Sequence, residues 1–250
     1  MLIERGNSYE EICEKFQWQV PEKFNIADYV CDRWAEDSNR IALIYEDAQK
    51  QVHRYSFADI QRYANQFANT LLSMGLAPGD RVMLLLAQDP ECAISHIGCF
   101  KAGIISSPTS VLFGADAISY RLNDSGASAV VTDRANLDKV LEVQKEAPNL
   151  KHIFVIDGES EHAHSYWELI KKADDTFTNV DSDAEDIAWI SYTSGTTGMP
   201  KGSVQPHRML LGHMPSLEFI YDFFPQDKDT LWSPADWAWM AGLADILLPG

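Results

Sequence analysis

Apolar residues recur at every third or fourth position through much of the chain, and short unbroken apolar runs separate those stretches. Downstream of Ser56, a candidate N-cap, Ile60, Tyr63, Phe67, Leu71 and Met74 fall on one stripe at helical spacing, which stops near Gly75. The turn APGD then leads into RVMLLLA, a continuous apolar run of the kind found in strands buried on both faces. The alternation repeats downstream. PECAISHIGCFKAG predicts a helix and IISSP a strand, while DAISYRLNDSGA predicts a helix closed by Gly126 and SAVVTD a strand. NLDKVLEVQKEA predicts a further helix before the strand HIFVID. Near the start, Ile26, Tyr29, Val30, Arg33 and Trp34 share helical spacing ahead of IALIYED, which reads as a strand. Strands alternating with helices at these intervals predict an α/β fold with a largely parallel sheet.

One polar, acidic segment, KKADDTFTNVDSDAED, interrupts this rhythm and marks the best boundary. It divides the chain into a first α/β subdomain, residues 1–172, and the start of a second, residues 173–250. Asp181, Asp183 and Glu185 alternate there somewhat as in a calcium loop, but the required glycine and later glutamate are missing, so a solvated linker is predicted. Beyond it, DIAWISYT reads as a strand, GTTGMPKG as a loop, and HRMLLGHM as the start of a helix after Pro206.

Charge narrows the partners. The 20 Lys and Arg against 37 Asp and Glu leave a net charge of -17, which argues against a general nucleic-acid or anionic-membrane surface. Apolar runs such as VMLLLA stop well short of a membrane span, so a cytoplasmic protein is expected. The cysteines Cys13, Cys31, Cys92 and Cys99 form no C-x-x-C pair. Cys92, His96 and Cys99 would share one helix face, but their apolar surroundings point to buried small residues beside a satisfied histidine rather than to a metal site. His162 and His164 lie in a polar stretch and read as surface residues.

An acidic protein that holds an anionic ligand needs a local donor-rich site, and the glycine loop can form one. Glycines let several backbone N–H groups converge on phosphate oxygens. The hydroxyls of Thr193, Ser194, Thr196 and Thr197 add donors, and Lys201 adds a mobile positive charge. The same composition also suits a mobile surface loop. The common phosphate loop G-x-x-x-x-G-K-[ST] is absent, as are G-x-G-x-x-G and G-x-S-x-G.

The string YTSGTTGMPKG, from Tyr192, resembles almost letter for letter the signature of adenylate-forming enzymes, which include acyl-CoA synthetases, luciferases and peptide-synthetase adenylation domains. FQWQVPEKFNIADYVCDRWA, KAGIISSPTSVLFGADAISYRLNDSGASAVVTD and SPADWAWMAGL are similar to the acetyl- and medium-chain acyl-CoA synthetases of that group. The resemblance implies the N-terminal part of the large domain of such an enzyme. It also implies an activity in which a carboxylic acid and ATP give an acyl-adenylate, and coenzyme A then takes the acyl group, with Mg2+ as the expected metal.

Carried over by position, Thr193, Ser194, Gly195, Thr196, Thr197, Gly198, Met199, Pro200 and Lys201 would surround the β- and γ-phosphates, with Thr196, Thr197 and Lys201 foremost. Trp237, Trp239 and Gly242 would line the acyl site, although those tryptophans also read as ordinary core aromatics. His207 follows the loop where the family often has a histidine, and is read as a helix-start residue outside the site.

The family's later Y-G-x-T-E and T-G-D motifs, its hinge and its C-terminal lid with a catalytic lysine have no counterpart here. An N-terminal portion inactive by itself is therefore expected, the alternative being a non-catalytic nucleotide-binding or interaction module complemented by a separate C-terminal half. A strand DIAWISY stripped of neighbours would expose an edge and favour self-association.

Overall fold

The computed structural model describes residues 2–194, 198–226 and 229–250. Two short helices, α1 (Tyr9–Lys15) and α2 (Ile26–Val30), precede a hairpin of β1 (Ile41–Glu46) and β2 (Val52–Ser56). Helix α3 (Phe57–Ser73) then opens a regular alternation. It runs β3 (Arg81–Leu85), α4 (Pro90–Lys101), β4 (Ile105–Pro108), α5 (Ala115–Ser125), β5 (Ala129–Thr132), α6 (Arg134–Val143) and β6 (His152–Val155). After β7 (His164–Ser165) and α7 (Tyr166–Ile170) come the acidic linker, β8 (Ile187–Thr193), β9 (Lys201–Pro206) and α8 (Met209–Ile220). Met240–Gly242 forms one helical turn that widens into the π-helical turn Leu243–Leu247.

Strands β3 to β9 form one sheet in the order β7-β6-β5-β3-β4-β8-β9, parallel throughout except for the final β8–β9 hairpin. The predicted α/β architecture is therefore present. Its elements follow local rules. The start of α3 is closed by a capping box: Asp59 N–H donates to Ser56 Oγ at 3.1 Å, and Ser56 N–H donates back to Asp59 Oδ2 at 3.0 Å. Side chains of β3 alternate between two cores. Val82 and Leu84 join Phe67, Phe100 and Phe154 under α3 and α4, while Met83 and Leu85 join Ile118, Leu122 and Val140 under α5 and α6. Cys92, His96 and Cys99 are buried in the first of these layers, and His96 Nδ1 lies 2.9 Å from Ser106 Oγ.

The linker is not the solvated tether that its composition predicts. Asn65 Nδ2 donates to the Asp175 carbonyl at 2.8 Å, and Asn69 Nδ2 to those of Asp174 and Thr176 at 2.8 and 2.9 Å. Further on, the buried Lys101 ammonium pairs with Asp32 and donates to Asn179 Oδ1 at 3.3 Å. An extended acidic chain leaves its carbonyls unpaired, and amides along one face of α3 supply donors in place of water. The sheet runs on across this linker, with Trp189 of β8 opposite Ser106 of β4.

Nor is β8 a bare edge. The chain turns back as β9; the sequence places Lys201 and Gly202 in the loop and predicts no strand through SVQP, which holds a single apolar residue. The edge of the sheet is β9 instead, and Lys201 to Val204 are exposed. Among the described residues, no helix is long and apolar enough to cross a membrane.

Candidate functional site

The glycine loop joins the antiparallel strands β8 and β9, and Thr193 pairs directly with Lys201 across its mouth. Side chains alternate along a strand, so Thr193 and Lys201 share one face while Tyr192 and Gly202 share the other. Lys201 is exposed and has no ion-pair partner among the described residues. Gly198 holds φ +103, a backbone state open to glycine and strained for other residues, with open space where a side chain would project. Thr193, Ser194, Gly198 and Met199 are exposed, and Pro200 is half-buried. Gly195, Thr196 and Thr197 lie outside the described residues.

The opposite face of the hairpin rests on α5. Tyr192 Oη donates to Asp124 Oδ2 at 2.8 Å, and Tyr120 Oη donates to the Pro200 carbonyl at 2.7 Å. Burial, reinforced by the Asp124 carboxylate, pushes the Tyr192 hydroxyl well up, so it remains a proton donor at neutral pH.

The second predicted cluster, residues 233–242, lies at the carboxyl ends of β3 and β4. Gln88, just beyond β3, donates through Nε2 to the Ala235 carbonyl at 2.9 Å. Ser110, just beyond β4, donates through Oγ to Asp236 Oδ2 at 2.7 Å. Asp236 in turn accepts the Ala238 N–H at 2.9 Å, shaping the turn that carries both tryptophans. Trp237 is buried at 7% exposure, whereas Trp239 is 48% exposed, so only the first behaves as a core aromatic. The buried Trp237 indole N–H has no acceptor among the described residues. Gly242 is buried, and a Cβ there would stand 2.2 Å from the Asp236 carbonyl oxygen, so the glycine permits a close backbone approach.

The two clusters are linked by stacked side chains. The Trp239 ring lies 6.2 Å from that of Phe113, the Arg121 guanidinium sits 4.0 Å over Phe113, and the same guanidinium lies 5.3 Å from the Tyr192 ring. Chain folding thus brings a donor-bearing loop and a partly apolar wall to one end of the sheet, outside the carboxyl ends of its parallel strands, where ligands of open α/β sheets bind. Sequence reasoning missed Gln88, Ser110, Tyr120, Arg121, Asp124 and Asp236. All but Gln88 lie within stretches that resemble the family, yet nothing in those stretches singles them out, and strand order is what brings the first five beside the site. His207 is buried outside this region, where its Nδ1 accepts the Ile26 N–H at 3.1 Å. Among the described residues, no group of three or more His, Cys, Asp or Glu could hold a metal ion.

Comparison with known proteins gives the family. The profile of the AMP-binding enzyme family matches residues 31–249. Acetyl-coenzyme A synthetase of Bacillus subtilis is 31% identical over 250 residues, which cover 94% of this chain and 43% of that protein. The crystal structure of an acyl-CoA synthetase from Brucella canis superposes with a TM-score of 0.83 at 25% identity, covering 94% of this chain and 44% of that one. An anthranilate CoA ligase in complex with anthranoyl-AMP gives a TM-score of 0.73 at 27% identity, over 78% of this chain and 37% of that one. This chain therefore spans less than half the length of the proteins it matches. With a family profile running through the sheet, the glycine loop and the tryptophan segment alike, the chain belongs to the AMP-binding enzyme family.

Proposed function

We propose that this chain forms the ATP- and acid-binding part of an AMP-forming acyl-CoA synthetase. The observation that carries the reading is the stacked path from Trp239 through Phe113 and Arg121 to Tyr192, which ties the glycine loop to the tryptophan wall. A carboxylate oxygen of the acid attacks the α-phosphorus of ATP, the bond from that phosphorus to the bridging oxygen breaks, and pyrophosphate leaves. The thiol of coenzyme A then attacks the acyl carbon and AMP departs. Anion meets anion in the first step, so donors aimed at the phosphates decide its rate. In this reading Thr193, Ser194, Gly198, Met199, Pro200 and Lys201 hold the β- and γ-phosphates together with Gly195, Thr196 and Thr197. Lys201 acts by position and charge, not as a nucleophile. Trp237, Trp239 and Gly242 bound the space for the acyl group, and the free indole N–H of Trp237 is a donor available there. Magnesium enters only as the companion of the triphosphate, which is its usual role at such sites.

The division into residues 1–172 and 173–250 belongs to the same reading, as does a cytoplasmic setting, supported by four unpaired cysteines. The exposed edge of β9 supports self-association. The test is carboxylate-dependent exchange between pyrophosphate and ATP, with acids from acetate to octanoate. Exchange by the 250-residue chain, falling about 100-fold in Lys201→Ala, would establish adenylation and the acid at once. Exchange that is indifferent to Lys201 would remove the loop from the mechanism. Folded chain with no exchange would instead support a nucleotide-binding module that needs a separate C-terminal half.

A further inference from the structure

Both arms of the glycine loop are tied to a single helix, one turn apart. Tyr120 of α5 donates its hydroxyl to the Pro200 carbonyl at 2.7 Å, on the arm that enters β9. Four residues on, Asp124 accepts the hydroxyl of Tyr192 at 2.8 Å, on the arm that leaves β8. Residues four apart on a helix stand one above the other, so the two anchors form a ridge along the back of the hairpin. The two tyrosine rings meet edge to face at 6.3 Å, and Arg121 lies under the Tyr192 ring.

Gly202 completes the arrangement. It is the cross-strand partner of Tyr192, and a Cβ there would sit 3.1 Å from Ile190 Cγ2 and 3.3 Å from Tyr192 Cζ. A side chain at this position would press on the ring that reaches Asp124. Thr193 and Lys201, by strand alternation, project on the face turned away from α5. The helix therefore grips the loop from behind and leaves its donor face clear.

We infer that α5 is the positioning element of this loop, with Tyr120 and Asp124 setting where Lys201 and Thr193 stand. This rests on the reading of the loop as the triphosphate site. Neither residue touches the nucleotide in this scheme. They act by holding the peptide carbonyl that precedes Lys201 and the ring that precedes Thr193, and a small misplacement of a positioned group has a large effect on binding and rate.

The experiment uses the 250-residue chain with three readouts: tryptic cleavage after Lys201, calorimetric binding of ATP in magnesium buffer, and the thermal midpoint. Tyr120→Phe removes one hydroxyl and nothing else. It should speed cleavage after Lys201 about 5-fold, the factor set by one lost neutral hydrogen bond, leave cleavage after Lys15 unchanged, and weaken ATP binding by a similar factor. Asp124→Ala should repeat the effect, while Asp124→Asn, which keeps an acceptor for Tyr192, should restore near-native values.

Unchanged cleavage and affinity in both Tyr120→Phe and Asp124→Ala would overturn the inference. So would faster cleavage with undiminished ATP affinity, because the clamp would then position nothing that the nucleotide uses. If the unaltered chain binds no ATP but Tyr120→Phe still speeds cleavage, the clamp is upheld and the triphosphate reading of the loop fails.

Discussion

In β5 every residue from Ala129 to Thr132 is buried, whereas in β9 every residue from Lys201 to Val204 is exposed. The two strands belong to one sheet, separated by β3, β4 and β8. One is held from both faces by side chains of packed helices. The other is held by the backbone ladder to β8, with Tyr120 of α5 anchoring the Pro200 carbonyl just ahead of it. The interior of the sheet draws its stability from apolar area removed from water, at about 25 cal/mol per Å2. Strand β9 has little such area, so its shape depends on a few directed bonds. A sheet built this way can keep a stiff scaffold while its last turn stays polar and reachable by a charged ligand.

Truncating one side chain in the core beneath the sheet and one on β9 gives the largest contrast. Phe67 is fully buried on α3 and packs its ring against Phe154 and Tyr166. Phe67→Ala should lower stability by about 3–5 kcal/mol in urea denaturation. Val204→Ala on β9, where Val204 is 54% exposed, should stay within about 0.5 kcal/mol. Comparable losses at both positions would mean that the hairpin is as much a part of the core as β5.

Two buried histidines probe the same contrast through pH. Burial pushes His96, under the sheet, down to about 3 and His207, at the foot of the hairpin, down to about 4. In each case the folded state disfavours the charged imidazolium, so the unfolded chain takes up a proton first as the pH falls. Stability is then fully present above about 6.5, the ordinary histidine value, and declines with further acidification. The decline continues to about 4 for His207 and about 3 for His96, at up to about 1.4 kcal/mol per pH unit for each. Urea titrations between these limits should show a shallower slope in His96→Asn and in His207→Asn. An undiminished slope in His207→Asn would show that the foot of the hairpin admits water more freely than its burial indicates.

A smaller effect than that of Phe67→Ala is expected between these regions, at the linker. Half-buried Asn69 donates to two linker carbonyls through solvent-exposed hydrogen bonds. Asn69→Ala should therefore cost only about 1 kcal/mol, while hydrogen exchange at Thr176 and its neighbours rises. No change in exchange would return the linker to the solvated tether that its composition suggests.

Much of the scaffold was legible from residue order, because its determinants are local and periodic. The stripe from Ile60 to Leu71, the capping Ser56 and the runs VMLLL and AVVT each carry a complete signal within a few residues. The string around Lys201 marked the loop for the same reason, since it is contiguous. By contrast, β9 was missed, and the linker was misjudged. The strand exists because β8 offers it a partner, and the linker is ordered because α3 presents amides to its carbonyls. Neither cause lies within the segment concerned.

The same division holds at the site. Sequence alone determined the alternation of strands and helices and the family, and it marked the glycine loop and tryptophan segment as candidates. Tertiary structure alone decided that Trp237 turns inward and Trp239 outward, that Gly242 admits the Asp236 carbonyl, and that Gln88 and Ser110 hold the tryptophan segment. It also decided that Tyr120 and Asp124, some 70 to 80 positions earlier in the chain, grip the loop from behind. Periodicity encodes what a residue does to its neighbours in the chain, whereas the order of strands in a sheet sets which distant residues become neighbours in space.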